Sequence, residues 1–294
     1  PGPMNARDLG RRALTVLIIL AVPLLMIRLF QDSLLYYPER ASRDDYLRIA
    51  AGAGLSAWPD ADNLRGLVAD PPAGLDAAVA GTVAVLHGNA GNAAYRDYYV
   101  PVLTQLGYRV VLLEYPGYGS RTGKVGEASL VADAVESLRL LHRQSPLPLI
   151  LIGESLGAGV AAATAGQAPD ALDALMLITP WDKLASVAQH HYPWAPVRLM
   201  LRDRYDSAVN LRAFPKPITL VVAEHDEIIP PVFARQLFEA IGTAGGRNTL
   251  VTIGGAAHND WAWRIDKQWW RSQLAALRGA KDASNPLALP LAGE

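Results

Sequence analysis

The chain has 294 residues, 51% of them hydrophobic, which suits one large α/β domain with a sizeable core once an apolar segment near the start is set aside. Formal net charge is −1, so there is no global basic field and no nucleic-acid partner is expected; the excess of Arg over Lys, 22 to 5, reads as codon bias. Cysteine is absent, which excludes disulfides, thiol catalysis and Cys-ligated metal.

In chain order, Pro1-Gly2-Pro3 before Met4 reads as a cloning remnant. Arg7, Arg11 and Arg12 then precede an uncharged apolar run over residues 13–27, which Arg28 ends. No small-residue cleavage pattern follows; the text continues FQDSLLYYP, so an uncleaved anchor is expected over residues 4–35. A helix over 13–27 rises about 22 Å, short of the roughly 30 Å apolar core of a bilayer. Extension to Phe30, with Arg28 snorkelling to the interface, narrows the gap. The arginines ahead of the run place the N-terminus in the cytoplasm. The expectation is a single-pass protein of the inner membrane, held in the bilayer by its N-terminal helix, with the following domain (36–279) in the periplasm. A helix lying in the interface is the rival, and a core helix of the domain is the plain alternative.

Residues 39–81 are rich in Ala, Gly and Pro, with a weak strand at 64–69. From residue 82 onward, short apolar runs alternate with helical stretches at 127–144 and 232–241. TVAVL (82–86) ends in HGNAGN, and RVVLLE (109–114) ends in YPGYGS. PLILI (148–152) ends in Gly-Glu-Ser, and LMLI (175–178) ends in Thr-Pro-Trp. ITLVVA (218–223) ends in Glu-His-Asp, and TLVTI (249–253) ends in GGAAHND. Continuous apolar runs mean strands covered on both faces, and alternation with helices means a mostly parallel sheet of an α/β fold. Ligands then bind beyond the carboxyl ends of the strands. Residues from about 180 to 215 form a small cap, and 280–294 a flexible tail.

Gly153-Glu154-Ser155-Leu156-Gly157 fits G-x-S-x-G, a pattern weak alone but strengthened by its strand–turn–helix context. A sharp turn there would expose Oγ of Ser155 above the sheet. Glycines at 153 and 157 would be needed because side chains would strike the neighbouring strand and helix. A helix N-cap serine is the plain alternative. A hydroxyl needs a base, and His258, after the last strand, supplies one. His190, His191 and His142 read as surface or structural histidines, and His87 as a brace of its loop. A carboxylate after the penultimate strand should hold the imidazole; Asp226 is the choice, with Asp182 and Asp260 as alternatives. Ser, Asp, His is the chain order of α/β-hydrolases. The oxyanion donors would be the backbone N–H groups of Leu156 and Asn89. Neither a phosphate loop nor a dinucleotide fingerprint fits residues 117–125, and no metal motif accompanies EHDE, so no cofactor and no metal are expected.

Together HGNAGN, EYPGYGS, GESLGAG, HDEIIPP and AHND resemble the α/β-hydrolase superfamily, more narrowly its membrane-anchored bud-emergence-type branch, related to the ABHD depalmitoylase-like proteins. The resemblance spans residues 34–270. It implies Ser155, Asp226 and His258 as triad, Asn89 and Leu156 as oxyanion hole, and a membrane helix before Tyr36-Tyr37-Pro38. Tyr118, Trp181, Tyr192, Trp194 and Met200 are candidates to line an apolar acyl-chain groove; packing the cap on the sheet is the plain reading, and the two are compatible. The expected function is a membrane-anchored serine hydrolase of lipidic esters, such as lysophospholipids, phospholipids or monoacylglycerols, working through an acyl-enzyme. A thioesterase or protein deacylase needs the same machinery, and a silent fold used as a membrane interaction module is the different class. A homodimer is compatible with the sequence.

Overall fold

In the computed structural model, residues 6–74, 79–244 and 247–279 are described, apart from a number of side chains in the first helix. The expected remnant at 1–3 and tail at 280–294 lie outside them. Eight strands make the main sheet: β1 (Ser56–Trp58), β2 (Gly66–Ala69), β3 (Gly81–Leu86), β4 (Tyr108–Leu113), β5 (Leu149–Glu154), β6 (Ala174–Ile178), β7 (Ile218–Ala223) and β8 (Thr249–Ile253). Their spatial order is β1-β2-β4-β3-β5-β6-β7-β8, and β2 alone among them runs against its neighbours.

The apolar runs of β3 to β7 are buried on both faces, whereas β8, at the sheet edge, is half-buried with Thr252 exposed. Val83 and Val85 of β3 join Ile150 and Ile152 of β5 on one side, while Ala84 and Leu86 join Leu149 and Leu151 on the other. Ten helices are described: α1 (Ala6–Leu35), α2 (Arg43–Gly52), α3 (Tyr99–Thr104), α4 (Glu127–Gln144), α5 (Leu156–Gln167), α6 (Leu184–His191), α7 (Val197–Met200), α8 (Ser207–Leu211), α9 (Pro231–Ile241) and α10 (Lys267–Arg278). Helices α4, α5 and α9 cover one face, and α2, α3 and α10 the other. The stripe Leu130, Ala134, Leu138 and Leu141 sends α4 to the sheet. Helix α5 needs no stripe, because its small residues are buried almost all round. This is the α/β-hydrolase arrangement, a mostly parallel sheet between two helical layers.

Between β6 and β7 lie α6, α7 and α8, which occupy the expected cap. Helix α2 and strand β1 have no counterpart in the sequence pattern. The Ser42 side chain accepts from the Asp45 N–H to start α2, and Tyr46 and Ala50 bury its inner face.

Among the described residues no helix is long and apolar enough to cross a membrane. The expected membrane helix is therefore not found as such. The run at 13–27 falls in α1, where several of its side chains lie outside the described residues. What the structure adds is where α1 ends. Leu24, Gln31 and Leu35, spaced to share one helical face, turn towards the domain. Leu24 packs on Ala195, Val197 and Met200 of the cap. Gln31 Oε1 accepts the Arg202 N–H at 2.7 Å, and Arg202 also pairs with Asp32. Just beyond, the Tyr36 hydroxyl donates to Asp203 at 2.5 Å and lies 2.8 Å from the Tyr205 hydroxyl. Burial pushes both tyrosine hydroxyls far above their ordinary range. The exposed apolar side chains Leu14, Ile18, Val22, Leu25, Leu29 and Phe30 point elsewhere.

Candidate active site

Strand β5 delivers Ser155 to a turn that ordinary residues avoid, φ 54° and ψ −116°, directly before α5. Two close approaches make that turn possible. A Cβ on Gly153 would stand 2.3 Å from the Gly157 carbonyl oxygen, and one on Gly157 would stand 2.1 Å from the Leu86 carbonyl oxygen. The glycines are thus needed for helix-on-strand contact, as the motif implies.

His258 reaches Ser155 from the turn after β8. Its Nε2 lies 3.1 Å from Ser155 Oγ and its Nδ1 2.7 Å from Asp226 Oδ2. With the ring proton on Nδ1, that nitrogen donates to the carboxylate and Nε2 accepts the serine proton. Asp226 is buried and its other oxygen accepts the N–H groups of Ile228 (3.0 Å) and Ile229 (2.7 Å), so the turn after β7 holds the carboxylate in place. The alternative acids lie elsewhere. Asp182 accepts from Ser186 Oγ at 2.8 Å, and Asp260 binds Arg264 on the surface.

Register places the loop after β3 beside this serine, because Leu86 pairs with Gly153. Neither the Asn89 N–H nor the Leu156 N–H is given to an acceptor among the described residues. At Leu156 this follows from its place in the first turn of α5. The loop itself is fastened: Tyr37 N–H and Tyr118 Oη both donate to the Asn89 carbonyl, and Asn89 Nδ2 donates to the Leu35 carbonyl. His87 is indeed a brace. It is buried, with Nε2 3.0 Å from Glu114 and Nδ1 2.8 Å from the Gly88 carbonyl.

Nothing in the sequence pattern singles out Glu114, yet it organises this region. Besides His87 it accepts Tyr46 Oη at 2.8 Å, Ala93 N–H at 2.9 Å and Tyr115 N–H at 3.1 Å. An acid directly after an apolar strand is the available signal. Glu154 and Arg96, beside Ser155, are equally hidden, since their partners are far away in sequence.

Of the five residues expected to line an acyl groove, three are buried and two are exposed. Tyr118 is buried against His87 and Tyr115, and Trp181 is buried with its Nε1 donating to the Tyr205 carbonyl at 3.1 Å. Met200 is buried in the contact with α1. Tyr192 and Trp194 are exposed on the cap, Trp194 to 79%. Tyr118 and Trp181 are thus packed into the core, while Tyr192 and Trp194 are not. A cavity of about 1060 Å³ opens between the end of α1, the start of α4 and the cap, lined by Asp32, Lys124, Glu127 and Arg202 among others. A second of about 280 Å³ lies between Tyr98, Trp263 and Trp270. Neither is lined by the three contacting residues, so hydrogen-bond geometry, not cavity size, locates the site. Among the described residues no cluster of His, Asp and Glu could hold a metal ion.

Residues 81–213 match the family described as alpha/beta hydrolase fold. An uncharacterized protein of Mycobacterium tuberculosis is 36% identical over 181 residues, 60% of this chain and 63% of the relative. Bem46 of Schizosaccharomyces pombe is 27% identical over 186 residues, covering 61% of this chain and 62% of bem46. The lysophosphatidylserine lipase ABHD12 of Danio rerio is 30% identical over 174 residues, covering 52% of this chain and 45% of the relative. The matches thus span less than two thirds of these relatives' lengths. Fold and family match agree that residues 81–213 form a domain of the alpha/beta hydrolase fold, and bem46 and ABHD12 are among the proteins it is similar to.

Proposed function

We propose that this protein is a serine carboxylic ester hydrolase whose substrates are lipidic esters met at a membrane surface. One observation carries the reading: Ser155, His258 and Asp226, separated in sequence by 103 and 32 positions, form a continuous hydrogen-bonded line on a strained turn. In the proposed reaction Ser155 Oγ attacks the ester carbonyl carbon while His258 Nε2 takes its proton. The oxygen gains negative charge between the N–H groups of Leu156 and Asn89. The carbon–oxygen bond to the leaving group then breaks, and His258 returns the proton to the departing alkoxide. A water, deprotonated by His258, attacks the acyl-serine carbonyl; the bond to Ser155 Oγ breaks, His258 returns the proton to Oγ, and the acid leaves. Asp226 holds the ring and stabilises its cationic form throughout.

A lysophospholipid is the favoured lipid, supported by the activity in the name of the Danio rerio relative. The exposed apolar side chains of α1 and Trp194 and Leu199 on the cap, 79% and 74% exposed, supply a surface suited to lipid. Two measurements test the reading. The full chain should be labelled by a fluorophosphonate probe and should hydrolyse a chain-length series of p-nitrophenyl esters; absence of both would refute an activated serine. It should also sediment with membranes and resist alkaline carbonate if α1 spans the bilayer with the catalytic domain outside. Release by carbonate would mean that α1 lies on the surface.

A further inference from the structure

A cation stands beside the nucleophile that ester hydrolysis as such does not use. The short turn Ala93–Arg96, started by the Asn92 side chain, ends on Arg96. The place where a Cβ on Gly88 would sit is 3.7 Å from Arg96 Nη2 and 3.6 Å from Ser155 Cβ, which puts this nitrogen at most about 7 Å from the nucleophile's Cβ. Glycine at 88 leaves the space between them open.

The guanidinium is held there but weakly engaged. Its side chain is 15% exposed, and its buried Nε has no hydrogen-bond partner among the described residues. Nη2 donates one long bond, 3.3 Å, to the Ala90 carbonyl. The nearest carboxylate, Glu154, lies 3.6 Å from Nε. That distance is beyond a hydrogen bond, and the other Glu154 oxygen is already taken by Tyr98 Oη at 2.6 Å and Tyr99 Oη at 3.2 Å. Arg121 shows what a structural arginine does in the same molecule: it grips Asp133 with two nitrogens, at 2.6 and 2.7 Å. Restricting an arginine next to a reaction centre without using its fork is costly unless something else takes it.

We propose that Arg96 forms a subsite for an anionic group of the substrate, a carboxylate or phosphate carried a few bonds from the scissile ester. Its planar donors suit either oxyanion, and its partial burial strengthens the interaction over one in bulk water. Glu154, Tyr98 and Tyr99 act as its frame: the carboxylate keeps the cation from leaving, and the tyrosines keep the carboxylate from closing on it. The inference rests on the ester hydrolase reading of Ser155.

The test compares two matched substrate pairs on the full chain. One pair puts the charge on the acyl side, p-nitrophenyl hexanoate against the mono-p-nitrophenyl ester of adipic acid. The other puts it on the leaving group, monolauroylglycerol against its phosphate ester. The wild-type protein should prefer the charged member of one pair, which tells the two sources apart. Arg96→Gln should lower the charged-to-neutral ratio of kcat/KM for that pair by on the order of 10- to 100-fold, mainly through KM, as expected for loss of hydrogen bonds to a charged group. Arg96→Lys, which retains the charge without the fork, should restore part of the ratio. Equal losses on charged and neutral members in Arg96→Gln would make Arg96 a brace for Glu154 and overturn the subsite. So would a wild-type preference for the neutral member in both pairs. Inactivity of the wild type on all four esters would overturn the hydrolase reading as well.

Discussion

Ser155→Ala should abolish fluorophosphonate labelling and reduce ester turnover by roughly 10³-fold or more, leaving only what binding and the oxyanion donors supply. The magnitude follows from the contact geometry. With Oγ removed, His258 at 3.1 Å has no proton to accept and no acyl-enzyme can form. His258→Ala should be about as damaging, and the double variant little worse than either, since triad members act as a unit. Asp226→Asn should also lose activity, because its 2.7 Å bond sets the ring tautomer. Asp182→Asn should retain most of it, Asp182 being engaged with Ser186. Persistent labelling of Ser155→Ala, or a greater loss in Asp182→Asn than in Asp226→Asn, would overturn these roles. Kinetics on one soluble ester with all five proteins decides the matter.

Gly157→Ala carries the largest expected effect on stability. The added methyl would stand 2.1 Å from the Leu86 carbonyl oxygen and 2.7 Å from that of His87, both backbone atoms where β3 runs into its following loop. Neither can swing aside as a flexible side chain would. Overpacking of a core costs about 1–3 kcal/mol and sometimes more. Here the upper end is expected, which for a domain of this size lowers Tm by on the order of 10 °C. Activity should fall with it, since any relief moves α5 away from β3 and opens the distance between Leu156 and Asn89. Gly52→Ala is the control: nothing lies within 4 Å of a Cβ there, and alanine suits a helix better than glycine. Thermal melts of the two variants should differ in sign; a Gly157→Ala protein as stable as the parent would mean that helix and strand are not in this contact.

Much of this arrangement is legible in the amino-acid sequence. The strands from β3 to β7 are short, mostly apolar and followed by turn-forming or polar text, so both their burial and their carboxyl ends can be read. Ser155, Asp226 and His258 follow because each stands just past a strand in an order with chemical meaning. Other features are written only in three dimensions. Glu114 gathers Tyr46, His87 and Ala93, and Glu154 gathers Tyr98 and Tyr99; no periodicity relates those positions. Helix α2 hides in Ala- and Gly-rich text because a cap and two buried residues suffice for it. Tyr118 and Trp181 read as substrate contacts in the sequence because aromatic residues near a site suit either lining or packing; in three dimensions both are buried and hydrogen-bonded to backbone carbonyls.

Because Gln31, Asp32 and Leu35 pin the last turns of α1, the helix meets the domain at a set angular phase. Each residue of an α-helix advances about 100° and 1.5 Å. The bearing of Leu14, Ile18 and Leu25 relative to Ser155 is therefore fixed by residue count as much as by residue type. One residue inserted ahead of Gln31 would swing that bearing by about 100°, whereas seven would bring it back to within about 20° and move it roughly 10 Å outward. The number of residues here is quantised in turns, a constraint that a flexible tether of equal length would not impose.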